Sequence, residues 1–441
     1  MASPNQRGKD RFIKEFVEQT TSTADSSNEG IPVFRHTRQQ MLPPTNNSFE
    51  HETISSTSIP HNSSLATQRL LDAEKKKTET FFRSIPKVPL IDLKVDKMSA
   101  DFYLNLLDWK GSVLGVCIGS LLYFYDVQTR TSRPWDGLKG KIGEEISSFQ
   151  FSRSQECVLV GTFAGNLKIL STGQHFGGTN TERIVRIQPG FRVTCVDNAH
   201  PEALVATGTK NGIATLVSTA SASATGQQRH SILAQWKAHD FEICGIKWSK
   251  HHSHLLATGG NDNSLAVWDI RSLNAPVHRL TDFQGAVKAI DWCPWNADIL
   301  AAGGDSFDRK IRMFNHQNAR VESVVDTGAQ VSALHFYSEY HEVITTHGYT
   351  LNDICFWKYP HMTLIERLEG FSNRILQSAL NPTLNLLATA CPEDGIVNIW
   401  SLASSRTCIT GKEAFEDVEE QEAAVEREKD LNQILTGRGL R

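Results

Sequence analysis

The side chains best suited to chemistry are scattered along this chain, and none forms a catalytic set. His251-His252-Ser253-His254 brings three imidazoles together. Imidazoles are metal ligands, but no second ligand group is spaced to complete a site. Eight cysteines (Cys117, Cys157, Cys195, Cys244, Cys293, Cys355, Cys391 and Cys408) never fall in a C-x-x-C pair. Most sit inside apolar runs, as reduced thiols packed like small hydrophobes do. No G-x-S-x-G, no phosphate loop with its lysine and no H-E-x-x-H is present, so acyl transfer, phosphoryl transfer and zinc hydrolysis lack their usual machinery. Asp308-Arg309-Lys310 reads as a turn. The expectation is a protein that binds and does not catalyse, with no cofactor and no metal.

The elements that must position such binding residues come from a repeat. Short β-type runs end in a large apolar residue: Leu122-Tyr123-Phe124-Tyr125, Leu265-Ala266-Val267-Trp268 and Val397-Asn398-Ile399-Trp400 are three of them. The seven anchors stand at 125, 170, 217, 268, 314, 357 and 400, with gaps of 45, 47, 51, 46, 43 and 43 residues. A period near 45 with alternating strands and Gly-rich turns marks WD-type propeller blades. The reading is an all-β chain, a seven-bladed WD-repeat β-propeller over 85–405. Its last blade supplies three strands, and residues 88–95 are expected to add the fourth and close the ring.

A finer regularity accompanies the anchors. An aspartate precedes the anchor by six residues in three blades: Asp262/Trp268, Asp308/Phe314 and Asp394/Trp400. Such an Asp belongs to the turn before the third strand and bonds within its blade, with His239 the expected partner of Asp262. Blades 1, 2, 3 and 6 lack it, so their turns must be held differently.

Two arms flank the repeat. Residues 1–84 are rich in Ser, Thr, Asn and Gln, too polar to offset the entropy of ordering them, and are expected to be disordered. Residues 406–441 form an acidic tail, with nine acidic and two basic residues between 413 and 430. The net charge of −4 and pI near 6.5 supply no basic stripe for nucleic acid. No apolar run approaches the roughly 20 residues that cross a bilayer, and the first ten residues are polar. The expectation is a protein of the nucleus and cytoplasm, with no nucleic-acid or membrane partner.

Several strings resemble one family. They are Asp101-Phe102-Tyr103-Leu104-Asn105-Leu106-Leu107-Asp108-Trp109, Ala257-Thr258-Gly259-Gly260-Asn261-Asp262-Asn263, Ala286-Val287-Lys288-Ala289-Ile290-Asp291-Trp292-Cys293-Pro294-Trp295 and Thr346-His347-Gly348-Tyr349. Together they resemble the Fizzy/Fizzy-related family, co-activators of the anaphase-promoting complex, a ubiquitin ligase. The resemblance spans 85–401. It implies a substrate-recognition co-activator that binds degrons of cyclin- or securin-like proteins and presents them to the ligase.

The family's receptor for Lys-Glu-Asn degrons carries over to Asn261, Asn263, Ser306, Gln330 and Arg374. A planar guanidinium suits the degron carboxylate, and the amides and hydroxyl suit its asparagine. A destruction-box receptor between blades 1 and 7 is implied at Asp108, the acidic partner of the degron Arg, and at Glu393. The family's Asp-Glu at that turn is shifted here to Glu393-Asp394-Gly395. A third groove, near blades 2 and 3, departs from the family pattern over 211–222. Docking to the ligase is implied at Asp10, Arg11, Phe12 and Ile13, the start of a C-box-like motif over 10–16 whose Pro and second Arg are replaced by Lys14 and Phe16. It is also implied at the terminal Leu440-Arg441. Ser3-Pro4 is the one Ser/Thr-Pro pair of the N-terminal arm, which points to a divergent, meiosis-specific branch of fungal type. The alternative is a WD-repeat scaffold of another assembly that has lost degron binding.

Overall fold

The computed structural model describes residues 84–135, 144–153, 157–171, 182–199, 204–219 and 232–403. They form twenty-eight strands in seven four-stranded antiparallel sheets, the seven blades expected from the anchor spacing. The first strand of each blade (Leu107–Lys110, Ile146–Phe151, Val193–Asn198, Ile243–Trp248, Val287–Trp292, Gln330–Tyr337 and Gln377–Asn381) packs beside the first strands of both neighbours, so the seven close into a ring around a channel. The expected closure is present. Ile91–Lys94 pairs with Ile396–Ser401 in the register Ile91↔Ile399 and Leu93↔Val397. The sheet edge of blade 7 is thereby covered by a strand that precedes blade 1 in the chain.

The sequence pattern follows depth in the blade. Second strands such as Cys157–Thr162, Ile299–Gly304 and Leu386–Cys391 are buried throughout and read as unbroken runs of apolar and small residues. Fourth strands such as Arg320–Asp326 alternate exposed and half-buried, as a strand with one wet face does. All seven anchors are buried. Small residues allow neighbouring blades to approach. A Cβ on Gly259 would lie 2.3 Å from the Val287 carbonyl of blade 5, and one on Gly245 would lie 2.3 Å from that of Lys288. All seven described cysteines are buried.

Antiparallel order within a blade sends the connection from second to third strand, and the link from each fourth strand to the next blade, to one end of the ring. That end is the upper face.

Candidate functional site

Blade 4 shows how an upper-face turn is built. The buried His239 ring donates through Nδ1 to Asp262 Oδ1 at 2.9 Å, and Thr258 Oγ1 meets Nε2 at 2.8 Å. Trp268 Nε1 donates to the same hydroxyl at 2.9 Å. Asp262 also accepts from the Asp240 and Ser264 amides. Burial works against the ionised carboxylate, yet the His239 ring and these amides hold its pKa well below the usual range. The structural role expected of Asp262 is therefore observed. This turn carries Asn261, whose amide donates to the Glu242 carbonyl at 2.8 Å. It also carries Asn263, in the left-handed region at φ 60°, which a short polar side chain tolerates.

The other positions expected to bind a Lys-Glu-Asn peptide also lie on the upper face. Ser306 occupies the blade 5 turn held by Asp305 and Asp308. Asp305 accepts from the Phe307 amide, and Asp308 pairs with Arg312 at 2.6 Å. Gln330 opens the first strand of blade 6, and Arg374 lies in the link from blade 6 to blade 7. These two are brought together over Gly348, where an added Cβ would stand 2.7 Å from Gln330 Oε1 and 3.2 Å from Arg374 Cγ. Glycine leaves the room that both side chains occupy. Gln330 is 4% exposed, and its Oε1 has no hydrogen-bond partner. The Arg374 guanidinium lies 4.4 Å over the Tyr349 ring.

Beneath this face, residues 99–106 cross the upper end of the channel. Asp101 pairs with Arg192 of blade 3 at 2.6 Å, and Arg192 pairs with Glu242 at 2.7 Å. Burial opposes the charge on Arg192, but the two carboxylates hold its pKa above the ordinary arginine value. Gln377 Nε2 of blade 7 donates to the Leu104 carbonyl at 2.8 Å, and Asn105 Nδ2 donates to Thr194 O at 3.0 Å. Lys288 of blade 5 reaches across to the Leu376 carbonyl at 3.2 Å, with its amine 5.1 Å over Phe102. Burial lowers its pKa to about 8. The segment thus bonds blades 3 and 7 directly and reaches Glu242, at the entry to blade 4, through Arg192.

The two residues expected to form the destruction-box receptor, Asp108 and Glu393, have different partners. Asp108 lies in the first strand of blade 1, and its Oδ2 accepts the Phe151 amide of blade 2 at 2.8 Å. Burial raises its pKa. The same clasp recurs two blades on, where Asp197 accepts the Trp248 amide at 2.7 Å. It appears again where Asp291 accepts the Phe336 amide at 3.0 Å. Asp108 is therefore one of three inter-blade clasps, and its own links blade 1 to blade 2. The junction of blades 1 and 7 is held by Trp109 Nε1 on the Ala379 carbonyl and Asn381 Nδ2 on that of Gly111. Glu393 stands in the upper turn of blade 7, where its Oε1 accepts from Arg374 Nε at 3.0 Å and from Nη2. Asp10, Arg11, Phe12, Ile13, Leu440 and Arg441 lie outside the described residues.

The histidine run makes local contacts. His251 Nε2 approaches the Cys293 carbonyl at 3.1 Å, while His252 packs against the rings of His254 and His316. Among the described residues, one group, His347, Asp353 and Cys355, gathers metal-type donor atoms within 4.8 Å. Its donors are committed to one another. His347 Nδ1 meets Asp353 Oδ1 at 2.5 Å, and Arg367 Nε lies 3.2 Å from Oδ2. Burial pushes the Cys355 thiol up to about 12, far from a thiolate ligand.

Residues 93–400, well over half of the chain, match a family model described as the CDC20/Fizzy WD40 domain. The chain belongs to the CDC20/Fizzy family. It is 31% identical over 330 residues to Protein FIZZY-RELATED 3 of Arabidopsis thaliana, a match covering 73% of this chain and 63% of that protein. It is 30% identical over 322 residues to the Anaphase-promoting complex subunit cdc20 of Dictyostelium discoideum, covering 71% and 60%. The chain thus spans less than two thirds of these two relatives. Meiotic fizzy-related protein 1 of Schizosaccharomyces pombe is 29% identical over 339 residues, covering 74% of this chain and 73% of that one. A chain in the crystal structure of a mitotic checkpoint complex superposes with a TM-score of 0.65 at 26% identity, covering 73% of this chain and 97% of that chain.

Within this CDC20/Fizzy chain, sequence reasoning missed Tyr349 as the surface beneath Arg374, Glu393 as that arginine's partner, and the Asp101–Arg192–Glu242 bridge. Tyr349 and Asp101 stood inside strings already singled out for the family resemblance. The ion pairs left no local trace, because their members are 19, 91 and 50 residues apart.

Proposed function

We propose that this chain is the substrate-recognition co-activator of an anaphase-promoting complex, capturing Lys-Glu-Asn degrons on its upper face. The observation that carries the reading is the Gln330–Arg374 pair over Gly348. A buried amide oxygen without a partner needs a donor, and a guanidinium beside it offers a fork to a carboxylate. Adjacent glutamate and asparagine side chains supply that carboxylate and that donor. Asn261, Asn263 and Ser306 complete the rim, and the protein contributes no bond-making residue. Docking to the ligase rests on the Asp10–Ile13 arm and on Leu440-Arg441. Two weak arms on one chain reinforce each other through effective concentration. A meiotic setting is supported by the fission-yeast relative's name.

The test is titration of a labelled Lys-Glu-Asn peptide against the full chain, beside Arg374→Ala. Saturable binding is expected, weakened at least about 30-fold in the variant, as when one partner of a desolvated charge pair is truncated. Absent or Arg374-independent binding favours a scaffold that has lost degron recognition. Removing Leu440-Arg441 is expected to weaken capture of the ligase sharply, and an undiminished pull-down sinks the docking claim.

A further inference from the structure

The Arg374 guanidinium has a carboxylate on it already. Its Nε and Nη2 both donate to Glu393 Oε1, side-on, and its flat face covers Tyr349. The contact is supported from both sides. Asn373, next in the chain, donates to Asp394 Oδ1 at 2.6 Å, so two successive residues of the blade 6–7 link are tied to two successive residues of the blade 7 turn. That turn is itself tight. The Asp394 amide bonds the Cys391 carbonyl, the Gly395 amide bonds that of Pro392, and Gly395 has a φ of 63°. Glu393 is thus presented to Arg374 by a built turn and is only one-third exposed.

We infer that Glu393 is a specificity-determining residue of the upper-face site, an internal acid that competes with the ligand's carboxylate for Arg374. The inference rests on the degron reading above. It follows from charge arithmetic. A ligand that offers a carboxylate alone exchanges one ion pair for another and gains little. A ligand that also brings an amide donor to Gln330 Oε1 satisfies a buried acceptor that Glu393 cannot reach through Arg374. The competing acid therefore suppresses acidic peptides in general, and the combined acid-plus-amide ligand is selected by contrast.

The experiment uses the full chain and three variants, Glu393→Gln, Arg374→Ala and the double substitution. Each is titrated with a Lys-Glu-Asn peptide and with its Lys-Glu-Ala counterpart. Glutamine keeps the size of the side chain and removes its charge. Glu393→Gln is expected to tighten both peptides, by about fivefold for a partly exposed ion pair. The gain should be the same for both, since each displaces the same ion pair, so that Lys-Glu-Ala, lacking the amide contact, rises into measurable binding. In the double variant the gain should vanish, because its only route is through Arg374. Unchanged or weaker binding in Glu393→Gln overturns the inference and makes Glu393 part of the receptor. If Arg374→Ala binds like the wild type, the degron reading fails instead. If neither wild type nor Glu393→Gln binds, both fail.

Discussion

Blades 4 and 6 solve the same problem in different ways. Both must end a second strand, turn on the upper face and start a third strand beside a buried histidine. Blade 4 closes its network: Asp262, His239, Thr258 and Trp268 each have a partner, and Ser264 adds a further bond. Blade 6 keeps part of that plan, with Trp357 Nε1 on Thr345 at 2.8 Å and His347 on Asp353. It nevertheless leaves Gln330 Oε1, Thr346 Oγ1, His347 Nε2 and Asn352 Oδ1 buried without partners. Buried polar groups are ordinarily satisfied. A blade that satisfies everything internally is scaffold, and one that leaves acceptors open beside a guanidinium is equipped to receive something.

The contrast can be broken most directly in blade 4. Asp262→Ala removes the charged anchor of a buried ring and leaves His239 Nδ1 without its main acceptor. A loss of about 3 kcal/mol in urea denaturation is expected. A loss under about 1 kcal/mol shows that the network is not what holds the turn. Thr258→Val takes away the hydroxyl shared by His239 and Trp268, and a loss of about 2 kcal/mol is expected by the same assay.

Blade 6 should respond in the opposite sense. Gln330→Met replaces an unsatisfied buried amide with an apolar chain of similar length. Stability should hold or rise by up to about 1 kcal/mol, while Lys-Glu-Asn peptide binding is lost. A variant that unfolds early shows that Gln330 serves the core and not a ligand.

The smallest effect separates the blades by pH. In blade 4, Asp262 has a lowered pKa, so its stabilising contribution is full near neutrality and fades only as acid protonates it. In blade 6, His335 lines the channel, where its Nε2 meets Ser378 Oγ at 2.8 Å. Burial lowers its pKa from 6.5 to about 4, with Lys247 and Lys250 adding to the effect and Asp291 opposing it. The unfolded chain then takes up the proton first. Stability falls as pH drops from 6.5 towards 4 and levels off below. The ring is partly open to the channel, so the fall is discounted to about 1 kcal/mol. His335→Gln should flatten the profile in that window. An unchanged slope assigns the fall to other groups.

Part of this was legible in the residues. Asp262 stands six positions before Trp268, so its role followed from spacing within one turn. Asp353 takes the same role four positions before Trp357, and the fixed offset concealed it. In blade 2, Glu144 serves the turn from outside it, accepting from Thr162 Oγ1 at 2.6 Å and from Asn166. Position 108 shows what a string leaves out. The residue was found, but its acceptor role is set by the Phe151 amide of the neighbouring blade, 43 residues away.

By itself the sequence determined the seven blades, the closing strand and the Asp262 turn. Strand periodicity, anchor spacing and turn chemistry act over a few residues and repeat every blade. Only the tertiary structure decided which polar groups are satisfied and which remain open. That balance depends on neighbours brought close by the closed ring: Gln330 against Arg374 over Gly348, Glu393 on the same guanidinium, Asp101 on Arg192. A hydrogen bond forms within about 3 Å in space, whatever the separation in the chain.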